Sequence, residues 1–176
     1  MSQPSKPLAT MSKTPDSLEN TLAAAERSAV ENTRKALAYM EQYGIRPEGR
    51  VQPFLPPETR ATTIDVLPYP HKTRQRVSYE TAPGEFSALC PFSGLPDYGT
   101  VTITYTPGSH FLELKSLKYY LISWRTIGAA QEDITAYLYE DLRRHLPDAE
   151  ELTVTTKYNV RGGIETVCRC TSDDQR

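Results

Sequence analysis

The chain has 176 residues, enough for one domain with a sizeable core. Its 20 Lys+Arg and 22 Asp+Glu leave a formal net charge of -2, so there is no basic footprint for nucleic acid and a small ligand is expected instead. No apolar run reaches the roughly 18 residues of a membrane span. The N-terminal Met-Ser-Gln-Pro-Ser-Lys lacks the apolar core of a signal peptide, so a cytoplasmic location with no membrane partner is expected. Three cysteines, Cys90, Cys168 and Cys170, make no disulfide framework.

Residues 1–13 are rich in Ser, Pro and Lys and are expected to form a disordered tail. A helix follows over residues 17–43. Thr14 is a suitable N-cap, Pro15 fits the first helical position, and Gly44 suits a left-handed C-cap. Its apolar stripe (Leu18, Leu22, Ala25, Ala29, Leu37, Met40) is weak, so it is expected to pack loosely or against a partner subunit. Residues 46–72 carry six prolines and read as an extended connector.

Strands are predicted over residues 74–82 and 99–106. The second alternates Val101, Ile103 and Tyr105 with Thr100, Thr102 and Thr104. A short strand at 111–115 runs into a helix at Ser116 that Gly128 ends. A second helix covers about 130–146, and strands at 151–158 and 163–170 follow, with residues 171–176 left as a tail. Helices interrupting an antiparallel sheet give an α+β fold, and no Gly-x-Gly-x-x-Gly follows a strand, which excludes a Rossmann cofactor domain.

Four segments carry candidate chemistry. In Phe86-Ser-Ala-Leu-Cys-Pro-Phe-Ser-Gly-Leu-Pro-Asp97 a thiol and a carboxylate share a stiff loop, and Cys90 reads as a nucleophile against the alternative of a core cysteine. Asp97 reads as a proton source, which needs a raised pKa, or as a turn residue. In Glu113-Leu-Lys-Ser-Leu-Lys-Tyr-Tyr120, Ser116 can cap a helix whose free amides attract anions, with Lys115 and Lys118 adding charge; a solvated face is the alternative. Gln131-Glu132-Asp133 opens a helix, where acids suit the dipole; the Glu132 carboxylate can also accept two hydrogen bonds from a guanine-like donor edge. Arg161-Gly162-Gly163 reads as a hairpin turn or as a phosphate contact. Cys168 and Cys170 share one strand face without zinc-site spacing, and no metal is expected.

Taken in order, these segments resemble the NADPH-dependent 7-cyano-7-deazaguanine reductases, the nitrile reductases of queuosine biosynthesis, over about residues 75–168. The Glu-Leu-Lys-Ser run looks like the signature that separates them from GTP cyclohydrolase I relatives. The resemblance implies a tunnelling fold over residues 73–170: an antiparallel four-stranded sheet with two helices on one face. Residues 14–72 would be an N-terminal addition. It also implies a homo-oligomer with active sites between subunits. Cys90 and Asp97 would be catalytic. Leu112, Glu113, Leu114, Gln131 and Glu132 would bind the base, and Lys115, Ser116, Arg161 and Gly162 would meet NADPH. Gln131 stands where that family usually has His, and Gln cannot titrate near neutral pH. Two other readings stay open: a thioimide-forming homologue that passes ammonia to the nitrile, as in archaeosine formation, and a non-catalytic purine- or pterin-binding protein of the same fold.

Overall fold

The computed structural model describes residues 15–45 and 54–172. The expected tail at 1–13 and the cap at Thr14 lie outside the described residues. Helix α1, Pro15–Gln42, begins on the predicted proline and stops where Gly44 takes φ +64, with Ile45 N–H closing on the Met40 carbonyl at 2.8 Å. Among its described side chains, the buried ones lie in the last turns. Ala36 and Met40 meet Phe54, Ile45 and Leu89, whereas Leu37, Ala25 and Ala29 of the predicted stripe face solvent.

The main sheet contains β2 (Val77–Glu80), β3 (Phe86–Leu89), β4 (Pro96–Thr106), β6 (Glu150–Arg161) and β7 (Ile164–Thr171), all paired antiparallel. β2 and β3 lie end to end on one edge of β4, and β6 then β7 follow on the other, giving four ranks built from five strands. The extra strand, β3, is four residues of Phe, Ser, Ala and Leu, too short and too mixed to show a period in the sequence.

β4 has the predicted alternation: Val101, Ile103 and Tyr105 are buried on one face, and the same face extends back through Gly99 to Asp97. Leu152, Val154, Thr156 and Tyr158 of β6 continue this buried face. At Gly99 a Cβ would stand 2.5 Å from the Lys157 carbonyl oxygen, so glycine allows β6 to approach. Helices α2 (Leu114–Ser123) and α3 (Gln131–His145) cover this face with Leu117, Tyr120, Ile134, Leu138 and Leu142, as an α+β layer pair requires. A single 3₁₀ turn, Trp124–Thr126, ends the α2 segment, earlier than the predicted stop at Gly128. Among the described residues no helix is long and apolar enough to cross a membrane.

The connector reading of residues 46–72 is corrected for its described part. β1 (Val66–Pro68) pairs with β5 (His110–Leu112), which therefore stands outside the main sheet, and Ile64 enters the core at 3% exposure. Arg60 anchors the segment. Its Nε and Nη2 each donate at 2.8 Å to the two oxygens of Asp141, which is fully buried on α3 and also accepts from Tyr120 Oη at 2.9 Å. The guanidinium carbon lies 4.4 Å from the Tyr137 ring centre. Replacing Arg60 by Met should cost about 3 kcal/mol, because a carboxylate without its fork partner stays buried. Urea denaturation of Arg60→Met against wild type measures it, and an unchanged midpoint would contradict the assignment.

Candidate functional site

Cys90 follows the last residue of β3, and the ladder continues one step beyond the strand: Cys90 N–H donates to the Leu95 carbonyl at 2.9 Å and Gly94 N–H to the Cys90 carbonyl at 2.7 Å. Gly94 takes φ +67, which closes the loop. Ala88 stands opposite Asp97 in the β3–β4 register, so Cys90 and Asp97 are diagonal neighbours on one face. Such neighbours lie about 7–8 Å apart or less. The thiol is half-buried. Asp97 is not a loop residue, as the sequence suggested, but the second residue of β4, 5% exposed.

β3 is bonded on both sides. Leu89 N–H donates to the Ile127 carbonyl at 2.8 Å, and its carbonyl accepts from Ala129 N–H at 3.3 Å. Residues 127–129 lead directly into α3, so this bridge sets the helix start, and with it Gln131 and Glu132, against the Cys90 loop. Phe54 lies against Gly128, where a Cβ would come within 2.3 Å of its ring. Through Phe54 and Leu89 the end of α1 braces the residue before Cys90. Tyr39 Oη of α1 also donates to Asp133 at 3.3 Å, beside Glu132.

Asp97 is the electrostatic centre of the site. The Arg161 guanidinium pairs with its carboxylate and donates from Nη2 to the Pro96 carbonyl at 2.9 Å, and the Gln131 amide donates to it. Burial pushes the Asp97 carboxyl above the usual carboxylate range, over the opposing pull of Arg161 and Gln131. The sequence set Arg161 and Gln131 at a phosphate and at the base; the structure brings both to Asp97. Tyr158, opposite Gly99, is 2% exposed, and its hydroxyl is pushed up by burial, then by Cys168, Asp97 and Glu132. Burial and then Glu132 push the Cys168 thiol up, while hydrogen bonds with Thr135 and Thr156 oppose them. Sequence reasoning missed Tyr158; its signal was the buried alternation of β6 ending on a residue with a polar tip.

The Glu113 segment lies elsewhere. The predicted Ser116 cap is corrected: Glu113 is the N-cap of α2, its carboxylate accepting from Lys115 N–H at 2.9 Å and Ser116 N–H at 2.6 Å, which holds that carboxyl below its usual range. Those amides are therefore not free for an anion. Ser116 Oγ instead accepts from Asp65 N–H at 2.8 Å. Leu112 is a core residue at 1% exposure, and its N–H donates to Tyr105 Oη at 3.0 Å, so its side chain is not at a pocket surface. Leu114 is exposed. Glu113, Leu114, Lys115 and Lys118 line a groove of about 910 Å³ between α2 and the β2 edge, walled by Tyr79 and Leu121. Cys90, Asp97 and Glu132 do not line it. Within this chain the candidate residues thus form two separate clusters. Gly162 and Gly163, at φ +55 and +83, form the β6–β7 turn beside Arg161. Among the described residues no three His, Cys, Asp or Glu come together as a metal site.

The family model described as QueF-like protein matches residues 96–176. A NADPH-dependent 7-cyano-7-deazaguanine reductase of Thermotoga petrophila is 44% identical over 123 residues, 69% of this chain and 87% of the relative. One of Thermomicrobium roseum is 38% identical over 111 residues, 63% of this chain and 85% of the relative. The apo crystal structure of the archaeosine synthase QueF-Like superposes with a TM-score of 0.50 at 20% identity, over 60% of this chain and 99% of that one, a likeness of fold.

Because the folded form holds the Asp97 proton more tightly than the unfolded chain, the stability this proton contributes is present in acid and lost as pH rises through the raised pKa. Asp97→Asn should therefore gain stability relative to wild type between acid and neutral pH. Denaturation midpoints across that range measure it, and a pH-independent difference would contradict it.

Proposed function

The chain belongs to the QueF-like family, and on that premise we propose that it reduces the nitrile of 7-cyano-7-deazaguanine with NADPH, giving 7-aminomethyl-7-deazaguanine in cytoplasmic queuosine biosynthesis. The observation that carries the reading is the diagonal placement across the β3–β4 ladder: a half-buried thiol just past β3 and, on β4, a buried carboxyl whose pKa is raised.

That pair suits a two-atom nitrile. The Cys90 thiol gives its proton to solvent, the thiolate sulfur adds to the nitrile carbon, the C≡N bond loses one π component, and the nitrogen takes a proton from Asp97, leaving a covalent thioimide. A carboxyl pushed up by burial is a better acid near neutrality than an exposed one. Glu132, exposed at the helix start, accepts from the guanine-like donor edge, and its position is tied to Cys90 by the Leu89–Ala129 bridge. Gln131 holds Asp97 by its amide and contributes no titratable proton.

NADPH, when bound, supplies hydride, two equivalents per nitrile, which with two further protons accounts for the aminomethyl group and the return of the thiol. The residues fit its phosphates by charge: Lys115 and Lys118 are exposed at the groove of about 910 Å³. Since this groove and the Cys90 cluster lie apart in one subunit, the reading requires a homo-oligomer in which the groove of one copy faces the thiol of another. β7 is the last rank of the main sheet among the described residues, a position where a second copy could add to the sheet.

Wild-type protein should oxidise NADPH when given 7-cyano-7-deazaguanine, followed by absorbance, and intact-protein mass spectrometry should find a substrate adduct absent from Cys90→Ala. Asp97→Asn should slow turnover by about 10²–10⁴-fold, the usual contribution of a positioned acid. Adduct without NADPH oxidation would select amidine-type chemistry; tight binding unaffected by Cys90→Ala, without turnover, would select a binding protein.

A further inference from the structure

We propose that Tyr39 is a positioning residue for Glu132: from the last turns of α1 it holds the first turn of α3, which has no side-chain cap, and so sets the carboxylate that reads the substrate. This rests on the nitrile-reductase reading and assigns the N-terminal helix a part in it.

The start of α3 lacks the usual anchor. Its N-cap is Ala130, whose side chain offers nothing to the free amides of the first turn. From the sheet side the turn is held through Thr135. Its hydroxyl donates to the Gln131 carbonyl at 3.0 Å and lies 2.6 Å from the Thr156 hydroxyl of β6. A hydroxyl has one proton, so Thr156 is the donor to Thr135. Asp133 stands about 200° round the helix from Gln131, on the opposite side. It is held from α1, where Tyr39 Oη donates to Asp133 Oδ2 at 3.3 Å. Glu132, exposed, lies between these two anchored positions, about 100° from each.

Tyr39 is itself fixed. With Ala36 and Met40 it forms the buried face of the last turns of α1. Ala36 and Met40 pack with Phe54 and Leu89. Leu55, next to Phe54, donates to the Thr126 carbonyl and accepts from Gly128 N–H, both at 2.8 Å. The end of α1, Leu89 and the first turn of α3 therefore close a triangle. The Leu89–Ala129 bridge is one side of it and the Tyr39–Asp133 bond another. The bridge alone stops at Ala129, short of Glu132 by the uncapped turn. Burial and then the charge of Asp133 push the Tyr39 hydroxyl above its usual range, so it keeps its proton and stays a donor through neutral pH.

Hydrogen exchange followed by mass spectrometry reads the first turn directly. In Tyr39→Phe, amides over residues 130–136 should exchange about tenfold faster, the loss expected for one hydrogen bond to a charged group, while β4 stays as in wild type. In kinetics the same variant should raise the KM for 7-cyano-7-deazaguanine about tenfold and leave kcat and the KM for NADPH within about twofold. Asp133→Asn keeps an acceptor for the hydroxyl but loses the charge, and it should match wild type in both measurements; Asp133→Ala should match Tyr39→Phe. If Asn behaved like Ala, Asp133 would serve the helix dipole and not Tyr39, and the proposal would fall. Unmoved exchange in Tyr39→Phe, or a loss shared equally by kcat and both KM values, would also overturn it. Exchange needs no turnover. Faster exchange in a protein that reduces no nitrile would support the anchor and sink the nitrile-reductase reading, and nitrile reduction with unmoved exchange would do the reverse.

Discussion

A four-residue strand bonded on both edges governs this molecule. β3 pairs with β4 through its whole length and, at Leu89, with the chain between the 3₁₀ turn and α3. A peptide group with both edges satisfied has no freedom to slide, and β3 is where the sheet, α1 and the start of α3 meet. Everything placed within a residue or two of Leu89 inherits this rigidity: the thiol after it, the helix terminus beside it and the carboxylate across the ladder. On the proposed function, the chemistry that needs close placement would be set on backbone hydrogen bonds rather than on loop packing.

What could be read from the residues followed local periodicity and punctuation. The threonine alternation of β4, the four-residue spacing in α3 and the Gly44 stop are short-range patterns, and each is present. The thiol and carboxylate of the β3–β4 hairpin were legible because they lie on one short segment. What escaped depends on partners distant in the chain. Nothing local marks Arg60 as the fork for Asp141, 81 residues away, so prolines suggested a connector. Arg161 beside a double glycine looked like an anion contact, since its partner lies on the far end of another strand.

The capping of α2 shows the same limit at close range. Serine is the favoured N-cap and glutamate is not, so propensity pointed to Ser116. The chain instead arrives from β5 with Glu113 N–H bonded to the Asp65 carbonyl at 2.9 Å, and that tertiary bond fixes where the helix can begin. Ser116 then becomes the acceptor for the Asp65 amide. A three-residue displacement of one cap changes which amides of the Glu-Leu-Lys-Ser run remain available.

Glu113 gains something from that assignment. Two of the lone-pair sites on its carboxylate are spent on the helix, and about two remain on a residue that lines the groove. An unanchored glutamate on a surface surrenders rotamer freedom whenever it grips a ligand. Here that entropy is lost during folding, so an incoming N–H pair would meet an acceptor whose direction is already chosen, and specificity at this position becomes a matter of angle rather than of reach.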